Sequence, residues 1–406
     1  MFKSTINVVN LYELMKKKRH GDTNYFLTAR CFIKQLETPC VYDTAKDELY
    51  ELDDAAFDFF KKAASTGGTA QHGDSSFVSY CLDEGLISTT PAAVVRPAVS
   101  QSPCPSLRYL ELQLTAQCNL KCKHCFVGDS RPVHLPLDTV VHILREFEVM
   151  QGLRLLITGG EPLMYPDFAA LNEILPEFAL RKILLTNGVL LSDELLKCLN
   201  VDEIQISIDG LEYGHDAIRG SGQYKKAVSA IKRAQKAGYD VSASTIIHSE
   251  NAGEFAAMEK LFIDMNIKDW TVDVPVAMGA MLRNESLCLP PEEAGRLLSY
   301  GFQGGGVHGG GNGQWACGVH LMSVAASGGV SKCLYYAGEP VGTVDDGLKY
   351  CWSRINPLPL SKLACSGCPE IDTCRGGCRY RAAALGDPLG KDLFKCHSLT
   401  FNLNLV

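Results

Sequence analysis

Cysteine spacing is the feature that most constrains how this chain can fold and what it can bind. Ten of its 17 cysteines fall into two groups with the spacing of metal ligands. The first is the C-x3-C-x2-C run of Cys118, Cys122 and Cys125, and the second comprises Cys317, Cys333, Cys365, Cys368, Cys374, Cys378 and Cys396. Three thiolates can hold a [4Fe–4S] cluster with one iron left open, and seven more nearly complete two further clusters. The spacing therefore predicts a protein with three iron–sulfur clusters.

Composition and charge exclude several classes of protein. The 406 residues are 46% hydrophobic, enough for two or three domains. The net charge of −7 gives no electrostatic support for nucleic-acid binding. The first residues lack the apolar region of a signal peptide, and no stretch approaches a membrane span. We therefore expect a cytoplasmic protein whose thiols stay reduced, and the odd cysteine count disfavours a disulfide framework.

The chain divides by texture into four segments. Residues 1–90 contain β-type runs followed by two helical patterns, which predict a small winged-helix-like module. Within it, Asp47 and Glu48 are expected to close a hairpin, and the pair Asp53-Asp54 to cap a helix. Residues 91–106 are rich in proline and small residues and predict a linker.

Residues 107–300 alternate between strand and helix patterns. Six apolar runs predict strands: LRYLELQLT, LRLLITGG, RKILLTNG, EIQISIDG, DVSASTII and DWTVDVPV. Repeated strand–helix units predict a parallel sheet with right-handed crossovers, here an α/β partial (β/α)6 barrel whose chemistry lies at the carboxyl ends of the strands. Residues 301–406 form a cysteine-rich segment. It opens with a glycine-rich stretch, 301–313, that we interpret as a hinge in preference to a substrate lid or phosphate cradle.

Two motifs are placed at the predicted catalytic edge. The cysteine triplet directly follows the first strand, where a structural zinc site is the alternative, although zinc usually takes four protein ligands. The sequence Gly159-Gly160-Glu161-Pro162 ends the second strand. A carboxylate and bare backbone at that point can receive an ammonium group.

The triplet followed by GGEP resembles the radical S-adenosylmethionine (radical SAM) superfamily over residues 107–300. The resemblance implies a [4Fe–4S] cluster whose open iron chelates SAM. It also implies contacts with SAM for His124, Gly159, Gly160, Glu161, Pro162, Ser207, Asp209 and Arg219. Taken singly, Ser207 and Asp209 could cap the next helix and Arg219 could form a surface ion pair. In register with the cysteines, the SAM-binding interpretation is favoured.

The C-terminal cysteines resemble the SPASM extension of the same superfamily. This resemblance implies an outer auxiliary [4Fe–4S] cluster on Cys365, Cys368, Cys374 and Cys396, and an inner one on Cys317, Cys333 and Cys378. The fourth inner ligand stays open between Cys288, Cys351 and an unligated iron that could bind a substrate thiolate. A zinc ribbon is the alternative for the Cys365–Cys378 group.

Residues 24–90 resemble the recognition element of enzymes that modify ribosomally made peptides (RiPPs). Such modules bind a leader peptide as an added strand, here expected near Cys40–Leu52 with Phe57, Phe59 and Phe60 packed beneath. A DNA-binding winged helix is the alternative, but the acidic segment 48–58 would repel phosphates.

The resemblances together imply a radical SAM peptide maturase of the sactipeptide or ranthipeptide kind. It would take a hydrogen from a precursor peptide and form an intramolecular crosslink, most simply a thioether, with loss of two hydrogens. Flavodoxin or ferredoxin would supply the electron. The alternatives are a formylglycine maturase of sulfatases, a tetrapyrrole-modifying enzyme and, in a different class, a non-catalytic iron–sulfur electron carrier. No catalytic base stands out in the sequence.

Overall fold

A computed structural model describes residues 3–4, 8–10, 23–70, 75–302, 304–306 and 314–403. The described residues form sheets of nine, four, three and two strands. Most of the predicted glycine-rich hinge lies outside the described residues.

The N-terminal module contains eight short strands and two helices. They are β1 (Lys3–Ser4), β2 (Val8–Asn10), β3 (Asn24–Leu27), β4 (Cys31–Gln35), β5 (Pro39–Asp43), β6 (Glu48–Glu51), α1 (Asp54–Ala63), β7 (Thr69–Ala70), α2 (Ser75–Asp83) and β8 (Ile87–Ser88). The expected hairpin is formed by β5 and β6, with Tyr42 opposite Leu49. Asp53 caps α1 by accepting a hydrogen bond from the Ala56 amide at 2.7 Å, as expected. The buried Phe60 anchors α1 in the module's core.

One edge of the module differs from the expectation. The four-stranded sheet has the order β2-β6-β5-β4, so the outer side of β6 pairs with the three-residue parallel strand β2. The predicted leader-binding edge near Cys40–Leu52 is therefore covered by the chain's own N-terminal residues. An unpaired strand edge attracts any available strand, which explains the pairing.

The centre of the molecule is the predicted barrel. Its elements are β9 (Tyr109–Gln113), α3 (Leu137–Val149), β10 (Arg154–Thr158), α4 (Phe168–Ile174), β11 (Arg181–Thr186), α5 (Asp193–Leu196), β12 (Glu203–Ser207), α6 (Glu212–Arg219), α7 (Gln223–Lys236), β13 (Asp240–Ile246), α8 (Phe255–Asp264) and β14 (Trp270–Asp273). All six predicted strands are confirmed, and they pair in parallel and in chain order. Strands covered on both faces read as continuous apolar runs, which is why the pattern identified them.

The C-terminal region continues the barrel sheet. Its elements are α9 (Pro291–Leu297), β15 (Gly304–Gly306), β16 (Leu321–Val324), β17 (Gly329–Ser331), β18 (Gly342–Thr343), α10 (Leu348–Arg354), α11 (Ile371–Cys374), α12 (Arg379–Ala384) and α13 (Leu393–Leu403). Strand β16 pairs in parallel with β9, and β17 and β18 follow in antiparallel fashion. The cysteine-rich region thus shares a sheet with the barrel. None of the helices in the described ranges is long and apolar enough to cross a membrane.

The module closes the amino-terminal end of the barrel with its β5–β6 turn. Asp47 in that turn accepts a hydrogen bond from Arg154 Nε at 2.8 Å and lies 3.3 Å from Arg181 Nε. These arginines are the first residues of β10 and β11. Arg181 also donates to the Thr44 carbonyl at 2.8 Å and pairs with Glu203 at 2.7 Å. Every charge in this buried network has a partner of opposite sign, as buried ions require.

Two further side chains fasten the module to its neighbours: Lys34 bonds to the barrel, and Arg96 bonds the linker to the module. Lys34 is 1% exposed, and its ammonium donates to the carbonyls of Gly152 at 2.8 Å and Ala179 at 3.0 Å, both in the barrel. In the predicted linker, Arg96 donates to the Leu27 carbonyl at 2.8 Å. The linker is therefore irregular, as expected, but fastened to the module.

Candidate active site

A cavity of about 620 Å³ runs through the barrel from its floor to its mouth. Lys46 and Asp47 of the module line the lower end. At the upper end lie the cysteine triplet and three of the C-terminal cysteines, Cys317, Cys333 and Cys378. The structure therefore brings two groups of cysteines, far apart in sequence, to one enclosed space.

The triplet sits on the loop after β9, at the carboxyl edge of the sheet. Its thiols are free, and Cys118 lies within electrostatic range of Cys122 and Cys125. The loop is held by backbone bonds, including Lys123 N to the Ile218 carbonyl at 3.1 Å and Cys125 N to the Cys122 carbonyl at 3.2 Å. Three thiols on one loop beside a cavity are the donor set that a [4Fe–4S] cluster with an open iron takes.

Backbone hydrogen bonds join the GGEP segment to the residues just before the cysteine triplet. Gly160 N donates to the Thr115 carbonyl at 2.7 Å, and Glu161 N to the Gln117 carbonyl at 2.8 Å. A side chain at position 160 would place its Cβ 2.5 Å from Gln117 O, so only glycine fits this approach. The motif therefore fixes Glu161 directly beside the cysteine loop.

Glu161 is completely buried at the cavity wall, and three hydrogen-bond donors hold its carboxylate. Oε1 accepts from Thr186 Oγ1 at 2.8 Å and from Leu163 N at 3.2 Å, and Oε2 accepts from Asn187 N at 2.9 Å. Burial raises the pKa of Glu161 to about 7, although these donors oppose the shift. A cationic group in the cavity would restore the ionised form, so this carboxylate suits an ammonium ligand.

Thr186 and Asn187 are functional positions that the sequence reasoning missed. They end the third predicted strand, and the side chain of Asn187 also donates to Asn119 Oδ1 on the cysteine loop at 2.8 Å. The available signal was the polar TNG sequence after an apolar run, at the same edge of the sheet as GGEP. Its target could not be read from the sequence.

Asp209 and Arg219 form a buried pair beneath the cysteine loop. Arg219 Nε donates to Asp209 Oδ2 at 2.5 Å, and Arg219 Nη1 lies 3.9 Å from Cys122 Sγ. Burial raises the pKa of Asp209, but Arg219, two neighbouring histidines and the Ile246 amide together outweigh burial, and the pKa is lowered. Helix α6 begins after Leu211 without a side-chain cap, so Asp209 does not cap it. The surface ion pair considered for Arg219 is likewise wrong, because the pair is buried.

The other predicted SAM contacts divide between the cavity wall and the layer behind it. His124 lines the cavity, and its burial lowers its pKa to about 4, which leaves the imidazole neutral at pH 7. Gly159, Gly160 and Ser207 line it as well. Pro162 is buried at the start of a short 3-10 helix, behind the wall with Asp209.

The C-terminal cysteines lie in two separate neighbourhoods of the structure. The Cys333 thiol interacts electrostatically with Cys317 and Cys378. The Arg379 amide donates to Cys317 Sγ at 3.4 Å. The outer set lies farther from the cavity, with Cys365 and Cys368 in range of Cys396, and Cys396 in range of Cys374. The grouping predicted from spacing is thus compatible with two further clusters.

The inner set is tied to the barrel by charge and by aromatic rings. Arg381 bridges Asp273, the last residue of β14, at 2.5 Å and Asp392 at 2.7 Å, and Asp392 accepts from the Cys378 amide at 2.8 Å. The cavity wall between the two cysteine groups is aromatic: the rings of Phe126 and Tyr335 lie 5.6 Å apart, and those of Tyr335 and Tyr380 5.5 Å apart.

Comparison with known proteins identifies a domain in the centre of the chain. Residues 112–262 match the model of the Radical SAM superfamily. The mycofactocin maturase MftC of Mycobacterium ulcerans is 29% identical over 325 residues, covering 69% of this chain and 85% of that protein. The AdoMet-dependent heme synthase of Methanosarcina barkeri is 29% identical over 206 residues, covering 48% of this chain and 58% of that protein.

A structural match extends over nearly the whole chain. Streptococcus suis SuiB, solved with its precursor peptide SuiA, matches 91% of this chain and 98% of its own with a TM-score of 0.63 at 14% identity. At this identity the match shows the fold. The cysteine triplet, the buried Glu161 beside it and the match over residues 112–262 together define a radical SAM domain. The chain is therefore a radical SAM enzyme.

Proposed function

We propose that this enzyme is a peptide maturase that forms an intramolecular crosslink in a ribosomally made precursor, with loss of two hydrogens. The observation that carries the proposal is the shared cavity, bordered by the Cys118 triplet on one side and by the inner C-terminal cysteines on the other. A peptide segment lying between them would contact the sites of two clusters at once. The similarity to MftC and the fold shared with SuiB support a peptide substrate.

The chain's own residues bind and orient SAM. Glu161 would receive the amino group, because it is a buried carboxylate already oriented by Thr186 and Asn187. Glycines at 159 and 160 let the backbone approach the ligand. His124 and Ser207 would contact the remainder, and Asp209 holds Arg219 against the cysteine loop. With every side chain prepositioned, ligand binding requires little reorganisation.

When bound, SAM and a reduced cluster held by Cys118, Cys122 and Cys125 would supply hydrogen-atom abstraction, and an auxiliary cluster would supply an acceptor for one electron. For a thioether, the peptide thiol loses a proton and its sulfur bonds to the carbon that lost the hydrogen atom. The substrate thus loses one hydrogen atom, one proton and one electron. The low-potential electron that starts the cycle would come from flavodoxin or ferredoxin in a reducing cytoplasm.

The cavity wall would keep the reacting carbon in place. Phe126, Tyr335 and Tyr380 form a continuous ring surface between the two cysteine groups. Below them, apolar side chains of the barrel strands, such as Leu156 and Ile183, line the space. Such a site works by positioning and by exclusion of water.

The N-terminal module would bind the leader of the precursor by strand addition at β6. Strand β2 pairs with that edge over only three residues, and a longer leader strand could replace it. The module is fixed to the barrel through Asp47 and Lys34. A leader bound there would therefore hold the core of the peptide at a constant distance from the cavity.

Anaerobic co-expression with the small peptides encoded beside the gene tests the proposal. The expected result is one peptide whose mass falls by two hydrogens and whose fragments no longer separate across one segment. The matched control is the Cys118→Ala, Cys122→Ala, Cys125→Ala variant, which should leave the mass unchanged. Unchanged masses with the wild-type enzyme, in cells where it cleaves SAM, would contradict the proposal.

A tetrapyrrole substrate is the second candidate, because the heme synthase of Methanosarcina barkeri is also similar to this chain. That similarity covers about half of each protein and leaves the N-terminal module unexplained. Incubation of the reduced enzyme with SAM and a porphyrin precursor separates the two. Conversion of the porphyrin, with every peptide unchanged, would favour this second function.

A further inference from the structure

The inner set of three cysteines lacks a fourth thiol. Both candidates from the sequence lie elsewhere. Cys351 is buried in α10, where its thiol donates to the Thr343 carbonyl at 3.4 Å. Cys288 is exposed and has Glu285 as its charged neighbour. Neither residue reaches the cavity wall where the inner cysteines are found.

An acidic side chain lies on the same stretch of cavity wall as the inner cysteines. Glu111, in the middle of β9, lines the same cavity as the inner cysteines and is 8% exposed. Its Oε2 accepts a hydrogen bond from the Leu334 amide at 3.1 Å, the peptide group directly after Cys333.

The backbone makes this position rigid. Glu111 pairs in register with Ser323 of β16, and β16 pairs with β17, which leads into Cys333. Within the described part of the chain, Oε1 forms no hydrogen bond, whereas Oε2 is held by Leu334. One oxygen is thus positioned by the loop that carries a cluster cysteine, and the other is available to a metal.

We propose that the Glu111 carboxylate is the fourth ligand of the inner auxiliary cluster. The inference rests on the auxiliary clusters of the proposed function. A carboxylate oxygen would complete the set that three thiolates leave open. Carboxylate is a harder ligand than thiolate and binds iron–sulfur clusters less firmly. A peptide thiolate can therefore replace it, which gives the substrate access to the cluster without creating an empty site in the resting enzyme.

The test uses the variant with alanine at all three SAM-cluster cysteines, so that only auxiliary clusters contribute. Glutamate labelled with ¹³C at its side-chain carboxyl is incorporated, and the reduced protein is examined by EPR and ¹³C electron–nuclear double resonance. We expect about eight iron atoms per chain, four for each cluster, and a ¹³C coupling that disappears in Glu111→Gln together with a change in the EPR spectrum.

Asp269→Asn is the matched control. Asp269 is a carboxylate on the wall of the same cavity, and burial raises its pKa to about 7, but it lies next to β14 at the floor. This variant should retain both the coupling and the spectrum.

The outcomes separate the inference from its premise. Eight irons with no ¹³C coupling, or a Glu111→Gln spectrum identical to that of the parent, would overturn the ligand assignment and leave the auxiliary clusters standing. A parent protein without auxiliary iron would overturn the clusters themselves, and the inference with them.

Discussion

The two ends of the barrel use charge in opposite ways. At the floor, Asp47, Arg154, Arg181 and Glu203 neutralise one another, so those that border the lower end of the cavity already have charged partners. At the mouth, Glu161 and the inner and triplet cysteines face a common cavity. Polar groups that satisfy one another hold a fold together, whereas polar groups arranged around a space bind something. Substitutions at the floor should therefore change stability, and substitutions at the mouth should change ligand binding and chemistry.

The largest expected effect is at the mouth. Cys122→Ala should reduce SAM cleavage to background, because two thiolates cannot hold the cluster with its SAM-binding iron. 5′-Deoxyadenosine, measured by chromatography in anaerobic protein reduced with dithionite, gives the readout. Folding should be little affected, since the loop is held by backbone bonds. Persistent cleavage would show that the triplet is not the SAM site.

Asp47→Ala should produce the largest effect at the floor. It leaves two buried guanidinium groups, Arg154 and Arg181, without their shared carboxylate, which costs about 3–5 kcal/mol of unfolding free energy. Urea unfolding followed by circular dichroism measures the loss. Asp58→Ala is the control, because Asp58 pairs with Lys61 on the exposed face of α1 and its loss should barely change the unfolding free energy. Equal effects would mean that the floor network is not structural.

Lys34 sharpens the comparison through pH. Burial lowers its pKa from 10.5 to about 8. Between these values the folded protein has lost the proton while the unfolded chain keeps it, so this group's contribution to the unfolding free energy increases as pH rises. The gain is at most about 3 kcal/mol and is complete above pH 10.5. The unfolding free energy of the wild type, measured relative to that of Lys34→Met, should therefore rise from pH 8 to 10.5. A difference that stays constant over this range would contradict the assignment.

Glu161→Gln is the mildest of these changes. The substitution keeps the size of the side chain but removes the charge expected to receive the SAM ammonium, a loss of about 2 kcal/mol, or about thirtyfold in affinity. Equilibrium dialysis with labelled SAM on the cluster-loaded enzyme measures it. Thr186→Val removes one donor to the same carboxylate but no charge, so it should weaken binding less. An unchanged affinity in Glu161→Gln would exclude the carboxylate as the ammonium site.

The sequence revealed the barrel and the cysteine groups for a clear physical reason. The six strands are buried and locally apolar, and ligand cysteines have short, fixed spacings, so both leave a local pattern. Contacts between distant segments leave none. Asp47 and Arg154 are 107 positions apart, and nothing in either neighbourhood indicates the other.

The same limit explains the missed site residues. Glu111 lies inside an apolar run, and only the pairing of β9 with β16 brings it to Cys333. A charge within a buried strand was the available signal, since such a residue needs a partner. The partner itself emerged only from the fold. The covering of β6 by β2 was likewise invisible, because three-residue strands have no distinctive period.

Transfer of deuterium tests the central claim most directly. A precursor peptide identified by co-expression is made fully deuterated at carbon and incubated anaerobically with the reduced enzyme and unlabelled SAM. The account predicts 5′-deoxyadenosine carrying one deuterium, matched in amount by peptide that has lost its two hydrogens, here one deuterium from carbon and one exchangeable hydrogen. Unlabelled 5′-deoxyadenosine alongside crosslinked peptide would contradict it, because the radical formed at the mouth would then not act on the peptide in the cavity.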